Sequence, residues 1–117
     1  ASNTEIRNVS KDKIFQCEIT VSSGVERKLF KKHGIEIWEI EEAIYDDPYA
    51  FALAYQDCYF VYGQTFSGRY LLILIRLLSA AEIAKLSFPH GSNAIKIITA
   101  REMNPKQRRL YLKRKGA

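Results

Sequence analysis

The sequence predicts an α+β domain: two N-terminal helices and a C-terminal helix packed on an antiparallel sheet of four to five strands. Three observations carry that expectation. Residues 14–21 and 49–100 hold runs rich in β-branched and aromatic residues, residues 25–45 place apolar side chains at helical spacing, and a basic helical stretch follows Asn104-Pro105. A chain of 117 residues that is 47% apolar and 26% charged suits one domain with one two-layer core. Residues 1–12 are polar and unpatterned, a flexible leader ahead of a single domain over 13–117.

The first strand, over 14–21, alternates so that Phe15, Cys17, Ile19 and Val21 share a face. Ser22 or Ser23 then opens a helix over 25–32, with Glu26 three residues after Ser23 as a capping box requires, and Gly34 suits the left-handed position that ends it. A second helix, over 36–45, directs Ile37, Ile40 and Ile44 inward and Glu39 and Glu42 to water, until Asp46-Asp47-Pro48 stops it. Strands follow at 49–56, 58–65 and 69–78, with a tight turn at Asp57 and a hairpin at Phe66-Ser67-Gly68. The third is apolar on both faces and belongs in the middle of the sheet. Residues 79–92 combine helical composition with the turn chemistry of Phe88-Pro89-His90-Gly91, an excursion at the end of the hairpin joining 69–78 to 94–101. In that last strand Ile95, Ile97 and Thr99 alternate with Lys96 and Ile98. Asn104 caps the final helix and Pro105 occupies its first position; Met103, Gln107, Leu110 and Tyr111 face inward, Lys106, Arg109 and Lys113 outward. The helices are expected mainly on one face of the sheet.

The longest apolar run, at 70–78, is interrupted by Arg76 and is too short to span a bilayer. The opening residues lack the apolar run of a secretory signal, so the expected location is the cytoplasm and no membrane contact is expected. Cys17 and Cys58 lack CxxC spacing, His33 and His90 are the only histidines, and no HExxH pattern occurs; no metal and no cofactor are expected. Charge is unevenly spread. Beyond Ala100, Arg101, Lys106, Arg108, Arg109, Lys113, Arg114 and Lys115 stand against Glu102 alone, +6 in a chain of net +5, which leaves the first hundred residues at −1. Such segregation reads as a footprint for a polyanion, nucleic acid above all. The structural alternative is a solvated helix end that complements the macrodipole.

Three blocks, in this order and spacing, resemble the BrnT-like toxins of the RelE/ParE superfamily. They are Lys32-His33-Gly34-Ile35 leading to Glu42-Ala43-Ile44-Tyr45-Asp46-Asp47-Pro48, then Gly68-Arg69-Tyr70-Leu71-Leu72, then Ile97-Ile98-Thr99-Ala100-Arg101-Glu102-Met103 with Arg108-Arg109-Leu110-Tyr111. The resemblance covers roughly residues 15–115. It implies a cytoplasmic, metal-independent ribonuclease toxin of a type II toxin–antitoxin pair, which cleaves RNA and inhibits translation. It also implies sequestration by a ribbon-helix-helix antitoxin encoded next to it, as a hetero-oligomer or beside a homodimer. Three positions depart from the family pattern: Asp57-Cys58 replaces a Glu-Arg pair, Gln107 replaces a Glu, and Val21-Ser22 replaces Trp-Asp. These departures motivate the alternative of a non-catalytic module that binds nucleic acid or protein.

Metal-free RNA cleavage needs a base for the 2′-hydroxyl, a cation for the phosphorane and an acid for the leaving oxygen. Arg101, Arg76 and Lys96 are the candidate cations, and His33 and Glu102 the candidate acid and base. Arg69, Lys106, Arg108, Arg109, Tyr111 and Lys113 are expected along the RNA. Six have a structural alternative: Arg76 paired with a helix glutamate, Lys96 on the solvent side of a strand, Arg101 paired with Asp46 or Asp47, His33 at a helix C-terminus, Glu102 as a helix-entry charge, Tyr111 as a packed aromatic. Phe66, Phe88 and Ile83, near loop tips, are the expected anchors for an antitoxin.

Overall fold

The run Tyr70-Leu71-Leu72-Ile73-Leu74-Ile75 has no polar parity, and it forms the middle of a five-stranded sheet. The computed structural model describes residues 17–89 and 91–116. In chain order the elements are β1 (Glu18–Thr20), α1 (Ser23–His33), α2 (Ile37–Glu41) continued by a π-helical turn (Glu42–Asp46), β2 (Phe51–Tyr55), β3 (Cys58–Gln64), β4 (Tyr70–Leu77), α3 (Ala80–Ala84), β5 (Ala94–Glu102) and α4 (Pro105–Lys115). The sheet order is β1-β5-β4-β3-β2. The α+β class is as expected. The leader, Phe15 and His90 lie outside the described residues.

Two details of the expected sheet are corrected. It is mixed rather than wholly antiparallel, because β1 runs parallel to β5, with Ile19 opposite Ile95. The other pairs, β2–β3, β3–β4 and β4–β5, are antiparallel. The helix pair returns the chain so that β2 opposes β1 in direction, and three hairpin reversals then bring β5 back into the direction of β1. The helices also divide between both faces. On one face, called A here, Leu29, Ile35, Ile40, Ala43 and Ile44 from the α1–α2 region pack on Val61, Leu71, Ile73, Ile75, Ile95 and Ile97. On the opposite face B, Tyr111 and Met103 pack on Phe51, Tyr62 and Leu72. Alternate residues of β4 serve alternate faces, as the pleat demands.

Local chemistry explains the element ends. Ser22, not Ser23, caps α1, its Oγ accepting from the Val25 amide at 3.2 Å. Gly34 ends that helix at φ 62°, its amide bonded to Phe30 O in the 5→1 pattern of an αL cap, and the Ile35 amide adds a bond to Leu29 O where buried Leu29 and Ile35 accompany the turn. Gly63 has a different reason. A Cβ there would lie 2.3 Å from the Ala43 carbonyl oxygen, so the π-helical turn sits directly on β3. The alternation read into β5 fails at one point: a bulge at Ile98 places Ile97 opposite Ile75 and Thr99 opposite Leu74, so Ala100 rather than Thr99 turns inward. Residues 79–92 hold a real helix, α3, capped by a Ser79–Glu82 box. Glu39, expected in water, is buried.

Candidate nucleic-acid interface

Face B is covered by α4 at one end and approached by α3, through the Arg76–Glu82 pair, at the other, which leaves its middle open. The α4 helix lies over the end of the sheet where β4 begins, held there by Tyr111. This side chain has no exposed surface, and its hydroxyl donates to Asp47 Oδ2 at 2.6 Å. Asp47 also accepts the Gln64 and Tyr49 amides, each at 2.9 Å, so the carboxylate that ends α2 fixes β3 and α4 together. Burial and the adjacent Asp47 carboxylate push the Tyr111 phenol well above its ordinary range. The expected contact of Tyr111 with RNA is therefore corrected: the ring is core, and it has nothing to offer a ligand.

The basic residues of α4 fall into two sets. Arg108 lies over the Tyr70 ring at 5.1 Å, Arg114 over Phe51 at 4.3 Å and Lys115 over Tyr49 at 5.2 Å, with Lys115 Nζ also donating to Gln64 Oε1 at 3.2 Å. These three cap aromatic rings and seal the end of the sheet. Lys106, Arg109 and Lys113, three and four residues apart, form the exposed outward row.

Beyond α4 the floor of face B is open. Tyr55 is exposed and stacks at a tilt on Phe60, 5.1 Å between centroids, and Leu53 and Leu74 are half-buried. Arg101 stands at the rim beside α4. Its Nη1 donates to the Glu102 carbonyl at 3.0 Å and to Gln107 Oε1 at 3.1 Å. Gln107 is itself fixed, since its Oε1 accepts the Asn104 amide at 2.9 Å and its own amide donates to Asn104 Oδ1 at 2.8 Å. Arg101 is thus oriented by neutral groups and has no carboxylate partner among the described residues. The alternative pairing with Asp46 or Asp47 is not made among the described residues, and Asp47 instead accepts Tyr111 and two backbone amides. Arg101 and Arg114 act on buried Tyr62 as well: burial raises its phenol pKa, and the two cations partly oppose the rise.

The other expected site residues do not converge on Arg101. Arg76 and Lys96 are register partners on face B, about 13 Å away along the strands at ~3.3 Å per residue. Arg76 is held by Glu82 through two bonds of 3.1 and 2.9 Å, the helix-glutamate alternative. Its pKa is raised by that partner, and the Glu82 carboxyl is held down at about 2 by Arg76, then by the Ser79 amide.

Glu102 and His33 open on face A. There Arg69 gathers Glu102 Oε2 (2.9 Å), Glu39 Oε1 and Oε2 (2.9 and 3.0 Å), Gly34 O (2.9 Å) and His33 O (3.1 Å). Desolvation works against the Arg69 charge, but its bonds to Glu102 and Glu39 outweigh it and raise its pKa. Arg69, expected along RNA, ties the end of α1 to the sheet instead. Of the expected antitoxin anchors, Phe66 is 76% exposed at the β3–β4 turn, while Ile83 and Phe88 line a cavity at the opposite end of β4. They do not form one patch.

Sequence reasoning passed over Thr20 and Lys85, which stand with Arg76 and Lys96; the Ser79-x-x-Glu82 capping pattern was the local signal for the helix that presents Lys85. Among the described residues no group of three His, Cys, Asp or Glu side chains is placed to hold a metal, and no helix is long and apolar enough to cross a membrane. Fold and site together define an α+β protein with a mixed five-stranded sheet and one half-open, cation-rimmed face. No model of a known protein family matches this chain, and no curated protein matches it.

Proposed function

We propose that this protein binds RNA across the open part of face B. The observation that carries this reading is Arg101, a guanidinium on a rigid strand, oriented by Gln107 and a carbonyl without being neutralised, at the edge of an apolar and aromatic floor. Planar guanidinium suits a phosphate, exposed aromatic rings suit bases, and the row Lys106, Arg109 and Lys113 extends the positive rim. Binding without cleavage is the reading the geometry favours, since His33 and Glu102 lie on the other face from Arg101. Metal-independent cleavage by a cytoplasmic toxin of the RelE/ParE type, paired with a ribbon-helix-helix antitoxin, is the second reading. It is supported by the block resemblance and by an Arg101 poised to stabilise developing phosphorane charge.

One experiment tests both. Single-stranded RNA is titrated against the wild type, Arg101→Ala, Gln107→Glu and a Lys106/Arg109/Lys113 triple alanine variant, with products resolved on a gel. Arg101→Ala and Gln107→Glu keep the fold and lose affinity, the second because a carboxylate now occupies the guanidinium. The triple variant weakens binding gradually and flattens its salt slope by roughly one unit for each phosphate it no longer neutralises. Product bands that vanish in Arg101→Ala, a loss of about a hundredfold or more in rate, establish the ribonuclease reading. RNA binding that is indifferent to Arg101 refutes the placement of the site.

A further inference from the structure

A second concentration of positive charge lies at the far end of face B. Thr20, Lys96 and Arg76 stand opposite one another across β1, β5 and β4. Residues paired in register share a face, and adjacent strands lie ~4.8 Å apart, so these three side chains rise side by side. The α3 helix is folded over them by the Arg76–Glu82 pair and by the Ser79 cap, which brings Lys85 to the same place. These residues, with Ser22 at the start of α1 and apolar walls between, line an open, solvent-facing cavity of about 410 Å³.

The charge of this cavity is specific. Arg76, Lys85 and Lys96 face one carboxylate, Glu82, which leaves two positive charges uncompensated. Glu82 engages both terminal nitrogens of Arg76, and neither Lys85 nor Lys96 has a carboxylate partner among the described residues. Neutral donors stand ready beside them: the Thr20 hydroxyl, and that of Ser22, whose oxygen accepts the Val25 amide and whose proton is therefore directed elsewhere. A phosphodiester carries one negative charge, whereas a phosphomonoester carries close to two near neutral pH. The volume is in the range of small-molecule sites rather than of a bare ion.

We propose that this cavity binds a phosphomonoester, either the terminal phosphate of an RNA strand or that of a mononucleotide. Only the RNA source rests on the function proposed above. The site itself does not, because it is separate from Arg101 and complete without it.

The test uses the full chain and one short single-stranded RNA in three forms: 5′-phosphorylated, 3′-phosphorylated and hydroxyl at both ends. A 5′-mononucleotide is compared with its nucleoside in parallel. The wild type is expected to bind one phosphorylated RNA, or the mononucleotide, about tenfold or more tightly than the matching hydroxyl form, as one or two charge-assisted bonds supply. In Lys85→Gln/Lys96→Gln, two changes at partly or fully exposed positions that circular dichroism checks for folding, that ratio falls to about one. Preference for the mononucleotide with no RNA binding upholds the cavity and overturns the RNA reading. RNA binding with no preference for a terminal phosphate, and no difference between nucleotide and nucleoside, overturns the cavity and leaves the RNA reading standing. A preference that survives in the double variant also overturns the assignment.

Discussion

Arg69→Ala separates a structural from an RNA-binding role for this arginine most sharply. Arg69 is one-quarter exposed while Glu39 is 8% exposed, and among the described residues the only bond to the Glu39 carboxylate apart from those of Arg69 is from the Glu36 amide at 3.0 Å. Removing the guanidinium strands a buried carboxylate on one donor among the described residues, a change that typically costs 3–5 kcal/mol. The partial exposure of Arg69 places this site at the low end. Glu102 is more than half exposed and the two carbonyls at the end of α1 reach water, so they add little.

The expected loss is about 3 kcal/mol, or roughly 12 °C or more in Tm for a domain of this size. Arg69→Ala/Glu39→Leu should recover most of it, because an apolar replacement of a buried ion pair is close to neutral. Thermal and denaturant unfolding of the four proteins in the cycle measure the coupling, and RNA affinity is read below the transition. An Arg69→Ala protein as stable as wild type that has lost RNA binding would refute the reasoning and restore Arg69 to the RNA surface.

Three further outcomes follow from the same geometry. Gly63→Ala should cost about 3 kcal/mol or more, since the new methyl meets backbone at Ala43 rather than a side chain that can swing away; an unchanged denaturant midpoint would show that the π-helical turn is not seated on β3. Tyr111→Phe should cost about 1.5–3 kcal/mol, the worth of a buried bond to a charged group, and should raise amide exchange along α4 before the rest of the sheet. Glu82 has a depressed folded pKa, about 2 against an ordinary 4.5, so the docking it gives α3 is complete above pH 4.5 and is lost as pH falls toward 2. Exchange protection of Ala80–Ala84 should follow that window, and Glu82→Gln should abolish the dependence.

Much of the fold was legible because its signals are local. The two-faced apolar run of β4, the left-handed Gly34 and Gly68, and the Asn104-Pro105 start of α4 each act within a few residues. What was not legible depends on which element lies across from which. The parallel β1–β5 pair joins residues about 76 positions apart, and nothing in residues 14–21 specifies the direction of a partner. The bulge at Ile98 is similarly silent, since Ile97-Ile98-Thr99 alternates acceptably in either register. Glu39 sits on the polar parity of a short helix, and only the arrival of Arg69 from β4 makes its burial tolerable.

The site shows why charge counts and charge positions are different quantities. Counting cations beyond Ala100 singles out α4, but three of its cations lie over Tyr70, Phe51 and Tyr49, rings contributed by the sheet and by the segment before β2. Helical spacing assigns a residue to a side of the helix, not to the ring beneath it. Gln107 makes the converse point. Read against a family pattern it is a missing carboxylate; in place, it closes the capping box and orients Arg101. A glutamate there would satisfy the same geometry while cancelling the one oriented positive charge on the rim. On the reading proposed here the residue that reads as subtracted chemistry leaves Arg101 available to a phosphate, and the exposed row Lys106, Arg109 and Lys113, rather than the whole basic helix, supplies the remaining positive charge.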